Sequence, residues 1–449
     1  QGRALSPPTL GIQRGEVVHI SGPSGSGKST LARCLSGLIP HLYRGTLEGE
    51  VWLDGLRTDE TPLWKLAERA GLVFQNPAAQ MLTVAVEQEI IFGLENLGLV
   101  PETIGRRLET ALQRFGLASF RGRSPQTLSG GEQQKLALAA ITARHPPVLI
   151  LDEPLSMLDS TASIQLVDHL ADLTAAGTAV IICEHRGEYL RAIPGLQAIE
   201  LNGSAIDPTR AWAPPSRAAP HVSPFRLRVE GVTVNLGGRP VLRNLSFSAK
   251  GGQVLAIVGR NGVGKTTLLR ALAGLQRYSG NIAVDGERPD LGLVFQNPDL
   301  QLFNATVRHE VLYRLSDPDE ELYGWLMALL GLTEYEDTPP LLLSEGEKKR
   351  LALATALMRR PRHGILLDEP ALGQDAAHKS VLVALARALA GSGHLVILTT
   401  HDLALAAKAD RLLIMGEDGL VADGPPFELL ASDEPWAQID LHLPGWISD

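Results

Sequence analysis

The pattern G-x-x-x-x-G-K-[S/T] occurs twice in this 449-residue chain, as Gly22-Pro23-Ser24-Gly25-Ser26-Gly27-Lys28-Ser29 and as Gly259-Arg260-Asn261-Gly262-Val263-Gly264-Lys265-Thr266. Glycine tolerates the positive-φ turns that aim successive backbone N–H groups inward, so a loop of this kind cradles a triphosphate. Its lysine serves the outer phosphates and its hydroxyl a Mg²⁺ ion. The motif demands a strand before it and a helix after it. Both copies have them: Glu16-Val17-Val18-His19-Ile20 and Gln253-Val254-Leu255-Ala256-Ile257-Val258 read as strands, and 30–38 and 267–275 read as helices.

Each loop is followed by the same marks in the same order. After the first come Gln75, Ser129-Gly130-Gly131-Glu132, Asp152-Glu153 and His185; after the second come Gln296, Ser344-Glu345-Gly346-Glu347, Asp368-Glu369 and His401. Ser344 lies 215 residues after Ser129, while Asp368 and His401 lie 216 after Asp152 and His185. The chain is a tandem duplication whose halves diverge mainly before the serine motif. That overrides the usual prior of roughly 150 residues per domain and predicts two domains, 1–202 and 225–449, joined by a Pro/Ala-rich linker at 203–224. Continuous apolar runs such as Val148-Leu149-Ile150-Leu151 and Ile365-Leu366-Leu367 suit parallel strands covered on both faces, so the fold class is α/β. The motifs then fall at the carboxyl ends of the strands, where open α/β sheets bind ligands. The segments between each glutamine and serine motif read as an inserted helical subdomain.

With 44% hydrophobic and 20% charged residues the chain is ordinary for a globular protein, and no apolar run approaches the ~18 residues that cross a bilayer. A net charge of −9 argues against a broad nucleic-acid surface, and Arg359, Arg360 and Arg362 read as a solvated helix end. Cys34 and Cys183 alone indicate neither a disulfide framework nor a zinc site, which favours a cytoplasmic setting. Gln1 in place of methionine suggests a start inside a longer product.

Asp152 and Asp368 end apolar strands, which sets a carboxylate beside a loop-bound metal, and Glu153 and Glu369 follow as bases for a water attacking the γ-phosphate. Taken alone, such a pair is equally a helix cap with a first-turn acid; its recurrence favours the metal reading. His185 and His401 would more often be packing residues, but the shared offset suggests γ-phosphate sensors. Gln75 and Gln296 lie in Phe74-Gln75-Asn76-Pro77-Ala78-Ala79-Gln80-Met81 and Phe295-Gln296-Asn297-Pro298-Asp299-Leu300-Gln301-Leu302, which are otherwise ordinary Asn-Pro turns.

With these motifs in place, the chain resembles a fused pair of ATP-binding-cassette (ABC) ATPase domains, and Leu128-Ser129-Gly130-Gly131-Glu132 is similar to that family's signature. The resemblance implies, in each half, a RecA-like parallel core with an antiparallel β subdomain and a helical insert, the first half lacking its opening strand. It implies ATP and Mg²⁺ as cofactors and two head-to-tail composite sites within one chain. Nucleotide would contact Gly22, Ser24, Gly25, Ser26, Gly27, Lys28, Ser29 and Thr30, and Gly259, Asn261, Gly262, Val263, Gly264, Lys265, Thr266 and Thr267. Site one would be closed by Ser344 and Gly346, and site two by Ser129, Gly130, Gly131 and Glu132. The metal would be held by Ser29, Gln75 and Asp152 in one site and Thr266, Gln296 and Asp368 in the other. The F-Q-N-P-x-x-Q-[M/L] stretch, followed by Val86-Glu87-Gln88-Glu89 and Val307-Arg308-His309-Glu310, is similar to the ATPase subunits of energy-coupling factor importers. Those import vitamins and transition-metal ions, and the likeness implies transmembrane T and substrate-binding S components as partners, peripheral placement at the cytoplasmic membrane face, and no nucleic acid.

Two places depart from the pattern. Glu345 replaces the glycine seen at Gly130, and a like charge 4 Å away costs on the order of 4 kcal/mol at an effective dielectric of 20, which suggests unequal sites. Leu236 stands where the family stacks adenine on an aromatic ring, leaving ATP against GTP weakly specified. Trp436 and Trp446 read as packing residues or a partner contact, and the acidic run 317–321 as a solvated loop. Rival readings are a twin-cassette factor acting on ribosomes or nucleic acid and a fused sugar-importer ATPase. The acidic chain disfavours the first, and the intact second glycine loop the other.

Overall fold

A computed structural model describes residues 9–23, 26–185, 187–201, 222–441 and 443. The chain divides into two compact units, Gln1–Ser204 and Ala205–Asp449. Of the expected linker only 222–224 fall among the described residues, and there the Val222 N–H donates to Ser392 O at 2.9 Å.

The first unit is built on five parallel strands in the order Ala70–Val73, Val148–Asp152, Ala179–Cys183, Val17–Ser21, Gln197–Glu200. Val17 registers with Val180, and Val148 with Ala179. All five residues of Ala179–Cys183 are buried, as a strand covered on both faces must be. The second unit repeats the order with Leu291–Val294, Gly364–Asp368, Leu395–Thr399, Val254–Gly259 and Arg411–Gly416, and adds the antiparallel edge strand Gly419–Gly424. The antiparallel part differs between the units. The second has a three-stranded sheet, Ser279–Val284, Arg226–Leu236 and Arg239–Lys250; the first has, among its described residues, only the hairpin Trp52–Leu53 with Leu56–Arg57.

The helical inserts are Val86–Asn96, Pro101–Arg114 and Gly130–Thr142 in one unit, and Val307–Leu312, Glu320–Leu329 and Glu345–Met358 in the other. Leu94, Leu112, Leu136 and Leu138 bury the first insert's apolar faces almost completely, each contributing about 1.5–3 kcal/mol. The helices behind the glycine loops run Lys28–Leu35 and Lys265–Leu272, earlier than expected. Gly27 and Gly264, at φ 97° and 107°, open them directly from the loop, and Gly37 and Gly274, at φ 78° and 70°, end them in left-handed turns.

Three surface expectations are corrected or settled. Asp319 is no solvated loop residue: its carboxylate caps Glu320–Leu329 by accepting the Leu322 N–H at 3.0 Å and also pairs with Arg360. Arg359 is, as expected, an exposed helix end, capping Glu345–Met358 and donating to Tyr313 O at 3.1 Å. Trp436 is buried and donates to Leu429 O at 2.7 Å, the packing alternative; Trp446 lies outside the described residues. Among the described residues no helix is long and apolar enough to cross a membrane.

Candidate active sites in the two units

Each glycine loop leaves its strand at a position where only glycine fits. A Cβ on Gly22 would meet Leu201 O at 2.7 Å, and one on Gly259 would meet Met415 O at 2.6 Å. Both loop lysines fold back over the loop they close. Lys28 Nζ donates to Gly22 O and Pro23 O at 2.8 and 3.0 Å, and Lys265 Nζ to Gly259 O and Arg260 O at 2.6 and 3.0 Å. Ser29 and Thr266, then Thr30 and Thr267, continue into the first helical turn. Ser26 keeps a buried hydroxyl without a hydrogen-bond partner, while Ser24 and Gly25 lie outside the described residues. In the second loop Gly262 takes φ 81°, flanked by Asn261 and Val263.

The strand-end aspartates meet these hydroxyls. Thr266 Oγ1 donates to Asp368 Oδ2 at 2.8 Å, and Thr399 Oγ1 donates to Asp368 Oδ1 at 2.7 Å. In the first unit Ser29 favours the charged form of Asp152, but Cys183 stands at the place of Thr399 and Asp152 Oδ1 is buried without a hydrogen-bond partner. Burial, reinforced by the neighbouring Glu153 charge, pushes Asp152 up to about 6.

Glu153 and Glu369 sit in the left-handed region, at φ 51° and 48°, with their N–H groups donating to Cys183 O at 2.7 Å and Thr399 O at 3.2 Å. This turn brings each carboxylate to its glutamine or histidine. Gln75 Nε2 donates to Glu153 Oε2 at 2.8 Å, and His185 Nε2 lies 3.3 Å from Glu153 Oε1, close but off the hydrogen-bond line. In the second unit the His401 N–H donates to Glu369 Oε2 at 3.2 Å, the His401 ring lies 3.2 Å from Oε1, and Lys265 Nζ lies 3.3 Å from the ring. Gln296 makes no side-chain hydrogen bond among the described residues. The electrostatics diverge accordingly. Burial raises Glu153, but His185, Lys28 and Gln75 outweigh it and hold the carboxyl below its ordinary value. Burial with the Asp368 charge wins at Glu369 despite Lys265, and pushes it up to about 7.

Both signature serines are helix caps. Ser129 Oγ accepts the Glu132 N–H at 3.4 Å while Glu132 Oε2 accepts the Ser129 N–H at 2.7 Å, and Ser344 with Glu347 repeats this at 3.3 and 2.8 Å. Each hydroxyl accepts in its cap and keeps its proton to donate, whereas the Glu132 carboxylate serves the cap. Gly130 and Gly131 open the helix behind Ser129, and Gly346 lies buried in the turn after Ser344. Glu345 turns along its own helix, 3.8 Å from Lys348, which also bonds Asp299 at 2.8 Å.

Sequence reasoning assigned no role to four supports. Thr399 is one. Gln80 and Gln301 close the glutamine loops, their Oε1 atoms accepting the Phe74 and Phe295 N–H groups at 2.8 and 3.1 Å. Buried Glu89 accepts the Leu82 and Thr83 N–H groups at 3.0 and 2.9 Å, and buried Glu310 those of Phe303 and Asn304 at 2.8 and 2.7 Å. Glu184 accepts from Leu155 and His185 N–H at 3.0 and 2.8 Å. A signal existed for two of them: Gln301 and Glu310 follow Gln80 and Glu89 at the same interval of 221 that separates Gln296 from Gln75.

A glycine loop, a hydroxyl-bound aspartate and a buried glutamate at the carboxyl ends of a parallel sheet define, twice over, a nucleotide-hydrolysing unit. The sequence matches the ABC transporter family over residues 5–156 and 242–372, and the chain belongs to that family as a tandem pair of ABC ATPase domains. It is 35% identical to a Streptomyces avermitilis protein provisionally named ABC transporter ATP-binding protein, over 95% of this chain and 91% of that one. It is 32% identical to a Bacillus subtilis protein provisionally named HMP/thiamine import ATP-binding protein YkoD, over 94% and 88%. Among solved structures, RNase-L Inhibitor shares the fold at 22% identity and a TM-score of 0.64, covering 96% of this chain and 90% of that one.

Proposed function

We propose that the chain is the ATP-hydrolysing motor subunit of a membrane importer of the energy-coupling factor type, carrying a vitamin or a transition-metal ion. It would work at the cytoplasmic membrane face beside a transmembrane T component and a substrate-binding S component. The observation that carries this reading is the apolar tip beside each glutamine loop: Leu82 and Val84 are 71% and 77% exposed, Leu300 and Phe303 63% and 67%. Buried Glu89 and Glu310 pin the backbone of these tips. Apolar side chains fixed in water next to a catalytic loop suit a docking helix of a membrane partner. In the first unit Gln75 joins that loop to Glu153, so pressure on the tip reaches the chemistry. The import name of the B. subtilis relative supports the same reading.

In this proposal each ATP lies between one unit's glycine loop and the other's signature. Site one pairs Lys28, Gln75, Glu153 and His185 with Ser344 and Gly346; site two pairs Lys265, Gln296, Glu369 and His401 with Ser129 and Gly131. The residues fit a Mg²⁺ ion: Ser29 with the unpartnered Asp152 oxygen and Gln75 on one side, Thr266, Asp368 and Gln296 on the other. Bound there, the ion supplies positive charge against the phosphates. The lysines exchange loop carbonyls for phosphate oxygens, Glu153 and Glu369 accept the proton of the attacking water, and the signature hydroxyls donate to the γ-phosphate. No aromatic ring stands at Leu236, which leaves the choice between ATP and GTP weakly specified.

The test is to extract the tagged chain from membranes in mild detergent. A hydrophobic membrane protein should co-purify, and Leu300→Glu with Phe303→Glu should release it while turnover of the free chain stays within about two-fold. Retention by that variant, or ribosomes in its place, would defeat the reading.

A further inference from the structure

The loop after each catalytic glutamate has the same backbone in both units but different side-chain ties. In the second unit the Leu372 N–H donates to Glu369 O at 3.2 Å and the Gln374 N–H to Ala371 O at 3.1 Å, so 369–374 forms two linked turns. Two side chains join these turns to the signature helix Glu345–Met358. Buried Gln374 Nε2 donates to Gly346 O at 3.1 Å, and Lys349 Nζ donates to Leu372 O at 2.8 Å. A Cβ added to Gly346 would lie 3.5 Å from Gly373 O, so loop and helix are already in contact.

The first unit repeats the turns, with Ser156 N–H donating to Glu153 O at 3.2 Å and Leu158 N–H to Leu155 O at 3.1 Å. There, however, Leu158 stands at the place of Gln374 and Gln134 at that of Lys349. A leucine side chain donates no hydrogen bond, and both amide atoms of Gln134 are buried without a hydrogen-bond partner. The duplication therefore holds an internal comparison: one signature helix is bonded to its own catalytic loop through these two positions, and the other carries residues that do not make those bonds.

We infer that Gln374 and Lys349 are positioning residues that splice the second unit's catalytic loop to its signature helix, so that the nucleotide state at the second glycine loop sets the pose of Ser344 and Gly346. The inference rests on the reading that Ser344 and Gly346 close over the first unit's nucleotide. A movement of Glu369 toward its water shifts 369–374, and Gln374 carries the shift to the Gly346 peptide. Buried hydrogen bonds resist sliding, because separating the partners leaves polar groups orphaned away from water. Coupling of this kind is reciprocal, so loading either site favours loading of the other.

ATP turnover of the full-length chain, measured across ATP concentration, tests the splice. The unaltered chain should show a Hill coefficient above 1. Gln374→Leu and Lys349→Gln, which each install the first unit's residue, should lower it toward 1 as the coupling between sites weakens by about five-fold. The maximal rate of Gln374→Leu should stay within about two-fold; that of Lys349→Gln is compared well above pH 7, because the Lys349 charge also favours ionised Glu369. A merely structural role would depress the melting temperature and kcat and leave the slope of the ATP curve alone. Unchanged cooperativity in both variants overturns the inference. Combining Lys28→Ala with Ser344→Arg separates it from its premise. If both act on one site, the double variant is no worse than the stronger single; additive losses would remove the premise and the inference with it.

Discussion

Glu153 and Glu369 occupy equivalent turns yet differ in acidity: burial opposes ionisation at both, but His185, then Lys28 and Gln75, outweigh it at Glu153, whereas burial with the Asp368 charge prevails at Glu369. A general base works only when ionised, so its rate contribution is present above its pKa and lost as pH falls through it. With Glu153→Gln only the second site turns over, and its rate should fall as pH drops through about 7, the value for Glu369. With Glu369→Gln the acid limb should move lower, since Glu153 is held below the ordinary carboxylate value. pH–rate profiles of the two variants check this, and coincident acid limbs would contradict it. Cys183→Thr should stabilise the first unit by about 1 kcal/mol by giving Asp152 Oδ1 the hydroxyl that Thr399 gives Asp368, a gain readable in urea unfolding. The loop lysines, strand-end acids and signature serines were legible because each recurs within its own motif and in the same order. Thr399 was not, because one hydroxyl in an apolar strand carries no pattern and its counterpart is a cysteine.

At the scale of elements, the docking tips depend on two buried carboxylates. Glu310→Ala would leave the Phe303 and Asn304 N–H groups without their acceptor, at about 1–3 kcal/mol, and should raise hydrogen exchange across 302–306 while the sheet stays protected. Equal protection in variant and parent would show that Glu310 is no clamp. On the helix Ser160–Ala175, His169 lies edge-on to Phe115 with a 5.4 Å centroid separation, and neither ring nitrogen has a hydrogen-bond partner. Burial, with Arg114 adding, pushes it down to about 4. The unfolded chain takes up that proton near pH 6.5 and the folded chain only near 4, so stability is full above 6.5 and falls as pH drops between the two. His169→Leu, which installs the residue found at Leu385, should remove about 2 kcal/mol of that loss in unfolding measured at pH 4 and 7. Element types were readable from apolar periodicity. Their edges were not, since the glycines that start and stop each loop helix act through φ, which composition does not display.

The whole chain is legible as two copies because the motifs recur in one order and, from the serine motif on, at a nearly constant interval, and the same regularity hides what distinguishes them. The Gln374 and Lys349 ties and the different surroundings of the two bases are divergences that only side-chain placement exposes. One trait of the second unit bears on endurance. Glu369 combines a left-handed backbone with a carboxylate that resists ionisation, and either burden costs on the order of 1 kcal/mol or more. Glu369→Gly relieves both, so calorimetry at neutral pH should show that variant melting about 2–4 °C higher for each kcal/mol recovered. The organism thus keeps an enzyme less heat-resistant than its own sequence would allow, and a screen for thermal hardiness alone would select its silent form.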